Sequence, residues 1–153
     1  MSTADFGGDV NDEKTLIDKI RGFILAIFLF AMLGAGTELL LLEHTEDYWQ
    51  LTPLLLMAGC LLVLGWHAKA RAKTSLRAFQ VVMLLFIVGG FAGLILHFQG
   101  NMEFELEMYP SIETTELIWK SLKGATPALA PGAMIQLGLL GLAFTYRHPI
   151  LNQ

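Results

Sequence analysis

Apolar residues along this chain are gathered into long blocks that charged or polar stretches separate. A helix that crosses a bilayer needs about 20 predominantly apolar residues, and the blocks are close to that length. We predict spans at about residues 23–42, 53–68, 76–97 and 131–146. Short connections after the first two spans favour antiparallel neighbours. The pattern therefore predicts an all-α integral membrane protein, built as an antiparallel bundle of four transmembrane helices.

The segment before the first span, residues 1–22, has a different pattern. Asn11 is suited to cap a short helix in which apolar residues alternate with Lys14, Lys19 and Arg21, which is typical of a helix lying on a membrane surface. A cleaved signal peptide is the alternative, but it would start with basic residues and have a shorter apolar core. We therefore expect a cytoplasmic segment over 1–22 and a transmembrane domain over 23–153. Thr52 and Pro53 resemble the start of the second helix.

Composition supports the assignment to a membrane. The chain is 54% hydrophobic and 16% charged, whereas soluble domains carry about 25% charged residues. Its one cysteine, Cys60, excludes an intrachain disulfide.

Charge predicts the orientation of the spans. Residues 1–22, 67–77 and 147–153 hold eight of the ten Lys and Arg residues, and the other two are Lys120 and Lys123. By the positive-inside rule both termini are cytoplasmic, and the loops 43–52 and 98–130 face outward across an inner (plasma) membrane. This topology explains the basic loop, so no nucleic-acid partner is predicted. The lipid bilayer is the expected partner, with other membrane subunits or self-association as further possibilities.

The outer segment 98–130 contains a distinctive acidic stretch. After an expected turn at Gly100, Glu103, Glu105 and Glu107 occupy alternate positions, which predicts an extended strip with the acids on one side. A short helix should then begin at Pro110 and end near Gly124, and it could act as a lid or as a plain linker.

Small residues mark the surfaces on which the spans could pack. The third span contains a GxxxG pair, and the first and fourth carry glycines too; the residues concerned are Gly34, Gly89, Gly93, Gly138 and Gly141. In lipid, helices associate through close contact of such residues. These faces could meet inside the bundle or against another subunit.

Candidate chemistry gathers at the outer ends of the spans. Glu38 lies inside the first span, where a carboxylate needs a polar neighbour or a wet cavity. Antiparallel packing would bring His44 and His97 to a similar height, with Gln136 completing a polar cluster. Imidazole and carboxylate groups bind zinc, manganese and non-haem iron. The predicted metal ligands are Glu38, His44, His97, Glu103, Glu105 and Glu107.

Other interpretations of the same residues are open. Glu38 could be hydrogen-bonded to a neighbour, and the imidazoles, including His67 and His148, could simply lie at the membrane interface. The first functional hypothesis is a membrane protein that binds a divalent metal or a cationic ligand at its outer face. The second is a non-catalytic accessory subunit of a larger membrane complex, and the third is an oligomer with Glu38 around an ion pore. No catalytic arrangement or nucleotide motif is present in the sequence, so an enzyme is the weakest hypothesis.

Overall fold

The structure, a computed structural model, describes residues 6–124 and 128–151, with side chains from residue 12 onward. Within that part of the chain there are five α-helices, one short 3₁₀ turn and no strand. The helices are α1 (Phe6–Leu41), α2 (Tyr48–Ala70), α3 (Lys73–Met108), α4 (Thr114–Lys123) and α5 (Gly132–Thr145), and the 3₁₀ turn is Pro149–Leu151.

Three of these helices are long and apolar enough to cross a membrane: Asp12–Leu41 within α1, Tyr48–Ala70 and Lys73–Met108. α1 and α3 have 36 residues each, so each is about 54 Å long at 1.5 Å per residue. That length exceeds the hydrocarbon thickness of about 30 Å. α5 is equally apolar but has only 14 residues.

α3 is the central helix of the molecule, because it packs against α2, α4 and α5, while α1 packs chiefly against α5. Phe79 of α3 lies at the middle of the apolar core. Its ring makes edge contacts with Phe28 of α1, at 5.8 Å between centroids, and with Phe144 of α5, at 5.9 Å. Three helices therefore meet at one aromatic cluster.

The closest helix contact is between α3 and α5, which run antiparallel. A Cβ added at Gly138 would lie 2.7 Å from the carbonyl oxygen of Met83, and one added at Gly93 would lie 2.8 Å from Cβ of Pro131. A Cβ at Gly141 would overlap the Met83 side chain. At Gly138 the backbone of α3 itself lies too close for a side chain, whereas at Gly93 and Gly141 an added Cβ would meet the side chains of Pro131 and Met83.

The other two glycines lie elsewhere. Gly89 faces α2, where an added Cβ would be 3.3 Å from Leu56. At Gly34 an added Cβ would meet nothing within 4 Å among the described residues.

Two predicted helix starts are wrong. α1 is already helical at Phe6, so Asn11 is not its cap. α2 begins at Tyr48, five residues before Pro53, because Asp47 caps it. The Asp47 carboxylate accepts a 2.8 Å hydrogen bond from the backbone N–H of Gln50, which satisfies a donor that the first turn leaves open.

The predicted extended strip after Gly100 is also wrong, since α3 continues through residues 98–108. A helix satisfies its backbone hydrogen bonds internally, whereas an extended strip beside a bilayer would need partners. On a helix, Glu103 and Glu107 share one face and Glu105 points to the opposite side.

The last turns of α3 instead pack against α4. The buried side chain of Asn101 donates a 2.9 Å hydrogen bond from Nδ2 to the carbonyl oxygen of Ser121. α4 begins at Thr114 rather than at Pro110 and ends at Lys123, with Gly124 as the residue that follows it. The connection between α3 and α5 is thus partly an antiparallel helix pair.

Candidate functional site

His44 and His97 approach each other from different segments of the chain. His44 lies in the turn after α1, where its N–H donates a 3.0 Å hydrogen bond to the carbonyl of Leu39. The preceding residue, Glu43, has a left-handed backbone with φ of 52°. This tight turn directs His44 towards α3, and the ring centroids of His44 and His97 are 6.3 Å apart. We call these two residues the outer pair, after the side of the membrane that the charge distribution predicts for them.

The outer pair has an unused nitrogen. Nδ1 of His97 is buried and has no hydrogen-bond partner among the described residues. A buried imidazole nitrogen without a partner is costly unless a water, a proton donor or a metal ion occupies the space beside it. Two imidazoles that bind one zinc ion tetrahedrally at about 2.0–2.1 Å have ring centres roughly 5 Å apart. The observed 6.3 Å is about 1 Å longer, so the two rings would have to close slightly to share an ion.

The carboxylates predicted to join this site lie apart from one another. Glu38 is exposed on α1, and Glu103 and Glu107 are exposed on α3. Gln136, predicted to complete the polar cluster, is exposed on α5. In the part of the chain that the structure describes, no three His, Cys, Asp or Glu residues are placed to hold a metal ion together. Metal binding therefore stays a prediction, and two imidazoles are its best-placed ligands.

Glu105 is engaged by α4. Its carboxylate lies 3.8 Å from the ammonium group of Lys120, which also pairs with Glu116 at 3.2 Å. The hydrogen bond to Glu116 raises the pKa of Lys120, with desolvation acting in the opposite direction. The same ammonium lies 4.1 Å from the centre of the Tyr109 ring. The interaction fixes the end of α3 against α4.

A second imidazole pair lies at the opposite ends of the helices. His67 of α2 and His148, which follows α5, have ring centroids 6.1 Å apart in an edge arrangement. We call them the inner pair. Both residues were expected to lie at the membrane interface, and the sequence offered no spacing signal for their approach because 80 residues lie between them.

Both Nδ1 atoms of the inner pair are engaged. The Ser75 hydroxyl donates to the carbonyl of Ala72 at 2.8 Å, so it accepts the 2.8 Å hydrogen bond from Nδ1–H of His67. Nδ1 of His148 accepts from the N–H of Ile150 at 3.3 Å. A neutral His148 consequently carries its proton on Nε2, which leaves it without a lone pair for a metal.

Arg21 of α1 binds the backbone next to His148. Its guanidinium donates to the carbonyl oxygen of Arg147 at 2.7 Å and pairs with Asp18 at 2.9 Å. Desolvation, followed by the positive charge of Arg21 and by His67, lowers the pKa of His148, while Asp18 opposes the shift. A cation suits the carbonyl end of a helix such as α5, which is the sequence signal that could have indicated this contact.

The helices define the class of this protein. Three apolar helices of membrane-spanning length indicate a multi-pass α-helical membrane protein. The chain matches no protein-family model, no curated protein and no solved structure. Any more specific function must come from the chemistry of the two imidazole pairs and the surfaces around them.

Proposed function

We propose that this membrane protein binds a divalent metal ion (zinc, manganese or iron) at its outer face, with His44 and His97 as its protein ligands. The observation that carries the proposal is their 6.3 Å separation together with the unpartnered, buried Nδ1 of His97. Water or a further ligand would complete the coordination, because two imidazoles alone leave positions open.

The acidic residues have a supporting role in this proposal. Nine of the fourteen acids belong to the outer segments, counting Glu38. Glu103 and Glu107 are exposed there, and a surface of one sign raises the local concentration of counter-ions. They would attract a divalent cation to the outer pair without coordinating it in the single chain.

The proposal includes a topology. α1, α2, α3 and α5 form an antiparallel four-helix bundle in the inner membrane, with both termini in the cytoplasm. Two observations support it: α1 and α3 each pack against both α2 and α5, and eight of the ten Lys and Arg residues belong to the predicted cytoplasmic segments. α5, shorter than the bilayer is thick, would make the fourth crossing together with the turns that flank it.

The test is metal binding by the full chain, purified in detergent. Calorimetric titration with Zn²⁺ should give one site per chain in the wild type and an affinity lower by at least about tenfold, or 1.4 kcal/mol, in His44→Ala and His97→Ala. The matched control is His67→Gln together with His148→Gln, which removes two imidazoles at nearly the same spacing from the inner end. Equal zinc affinity in the wild type and His97→Ala, or loss in the inner-pair variant alone, would contradict the proposal.

An accessory subunit is the second candidate, because α1 carries an unusual exposed face. Glu38 and Thr37 are exposed beside the open position at Gly34, between Phe30 (82% exposed) and Leu41 (79% exposed). A carboxylate facing lipid costs up to about 3 kcal/mol at mid-membrane and less near the interface. A partner helix with a donor opposite Glu38 would remove that cost.

This candidate predicts a partner that depends on residue 38. Affinity purification from native membranes should recover a stoichiometric second subunit with the wild type and lose it with Glu38→Leu. Glu103→Gln, an exposed acid on α3, serves as the matched control. Purification of wild type and Glu38→Leu with identical composition would contradict the accessory role.

A further inference from the structure

Two open cavities, with no lining residue in common, lie where the C-terminal part of α3 meets α4 and the start of the α5 connection. The first, about 380 Å³, is apolar and is lined mainly by α3. Leu94, Phe98 and Met102 contribute to it from α3, and Leu122 and Leu129 contribute from the segments that follow. It lies at the end of the apolar stretch of α3, at the height of the outer pair.

The second cavity, about 410 Å³, is polar and lies nearer the C-terminal end of α3. It is lined by Glu105, Tyr109, Trp119, Lys120, Lys123 and Gly124. Along α3 the lining residues of the two cavities follow one another at intervals of three or four, from Leu94 to Tyr109. Such residues occupy one face of a helix. Glu105 is about 10 Å above Phe98 at 1.5 Å per residue.

The charges of the polar cavity are incompletely paired. Lys120 is shared by Glu105 and Glu116. Lys123 lies over the Trp119 ring, 4.4 Å from its centre, and within the described residues no carboxylate is within ion-pair distance of it. One carboxylate oxygen of Glu105, Oε2, is buried and faces the Lys120 ammonium at 3.8 Å, too far for a hydrogen bond, and among the described residues it has no hydrogen-bond partner. An occupant would satisfy both groups by bringing an anion to Lys123 and a hydrogen-bond donor to Glu105.

We propose that these cavities form a binding site for one phospholipid of the outer leaflet. Its phosphate pairs with Lys123, and the amino or hydroxyl group of its head group donates to Oε2 of Glu105. One acyl chain enters the apolar cavity on the membrane side of the same helix face. Ethanolamine and glycerol head groups share this chemistry, a phosphate with a donor a few atoms away. The site is independent of metal binding at the outer pair.

The geometry favours a lipid over a small soluble anion. A free phosphate or a zwitterion would fill only the polar cavity and leave the apolar one unused. A lipid in the outer leaflet has its chain pointing towards the membrane and its phosphate above it, which is the order in which the two cavities occur along α3. Trp119 and Tyr109 beside the polar cavity are the aromatic residues that favour the head-group region.

Native mass spectrometry of the full chain tests the site, with phosphatidylethanolamine and phosphatidylglycerol added separately in detergent. The wild type should retain one lipid of either kind. Lys123→Gln and Glu105→Gln should each lower the fraction with lipid bound by at least about fivefold, which is roughly 1 kcal/mol. Met102→Trp, which fills the apolar cavity, should do the same. Lys69→Gln, an exposed cation at the opposite end, should bind lipid as the wild type does.

Other outcomes would overturn the inference. If Lys123→Gln retains as much lipid as the wild type does, Lys123 does not bind the head group. If Lys69→Gln loses as much lipid as Lys123→Gln does, the lipid is held by non-specific charge attraction. If inorganic phosphate or glycerophosphoethanolamine displaces the lipid as effectively as a second lipid does, the site serves a soluble anion. Melting temperatures of all variants within a few degrees of the wild type would establish that lost binding is not lost folding.

Discussion

The two imidazole pairs have almost the same separation and different surroundings. Ring centroids are 6.3 Å apart in the outer pair and 6.1 Å in the inner pair. In the inner pair Ser75 and the backbone of Ile150 engage both Nδ1 atoms. In the outer pair Nδ1 of His97 is buried, and among the described residues it has no partner. Distance alone therefore does not distinguish a ligand site from a structural contact.

The hydrogen bonds around each ring make the distinction. The hydrogen bond at Nδ1 sets which ring nitrogen carries the proton. It therefore decides whether Nε2 has a free lone pair. By this criterion His148 has no free lone pair, so the inner pair cannot share one ion between its two rings, whereas Nδ1 of His97 in the outer pair is unpartnered among the described residues. Each prediction below breaks or sharpens this contrast.

The largest expected effect is from Gly138→Leu, which should break the inner pair and spare the outer one. Its Cβ would lie 2.7 Å from the Met83 carbonyl and 2.6 Å from Ile87, and overpacking of this kind typically costs about 1–3 kcal/mol. α5 would move off α3 and take His148 with it. Thermal unfolding in detergent measures the loss. Gly34→Leu is the control, because its Cβ would meet nothing within 4 Å in the described structure; equal destabilisation by both would refute the close contact.

The next effect is stabilisation by metal. A ligand that binds only the folded state stabilises it by about 2.7 kcal/mol at a hundredfold excess over Kd. Saturating Zn²⁺ should therefore raise the melting temperature of the wild type by several degrees, and a chelator should reverse the rise. At the same zinc concentration His97→Ala should show a clearly smaller rise, while His148→Gln should respond as the wild type does. If zinc no longer raises the melting temperature of His148→Gln but still raises that of His97→Ala, the inner pair and not the outer pair binds the metal.

A smaller effect concerns pH at the inner pair. The pKa of His148 is lowered in the folded chain from its ordinary value of 6.5, so at pH values just below 6.5 the unfolded chain binds more protons. The stability that neutral His148 contributes is complete above that value and is lost as the pH falls below it. Between pH 7.5 and 5.5 the melting temperature of the wild type should therefore fall. His148→Gln should reduce the dependence, and an unchanged slope would exclude His148 as its source.

The smallest effect is expected from Ser75→Ala. It removes the acceptor for Nδ1–H of His67, which should cost about 0.5–1.5 kcal/mol. It should leave zinc binding at the outer pair unaltered, as calorimetry would measure. Nitrogen NMR of the imidazoles should show one tautomer of His67 in the wild type and a mixture in the variant. A single tautomer in both proteins would mean that Ser75 does not select it.

The order of polar and apolar residues predicted the helical membrane class but not every boundary. Three long apolar helices were recognisable because hydrocarbon requires about 20 apolar residues for each crossing. The alternation of Glu103, Glu105 and Glu107 suggested an extended segment. α3 instead continues through them, because no proline interrupts the helix between Gly100 and Pro110. Pro110 was the better indicator of the helix end, which comes at Met108. Glu105 then turned out to face Lys120.

Sequence by itself determined the membrane class, the helical content and the segregation of charge, because each follows from the free energy of moving a segment between water and lipid. Only the tertiary structure decided which imidazoles meet, that Glu38 and Gln136 are exposed, and that Gly138 and Gly141 pack on α3. These features depend on how helices rotate and slide against one another. Apolar composition is nearly indifferent to that choice, and close packing and hydrogen bonds between distant residues determine it.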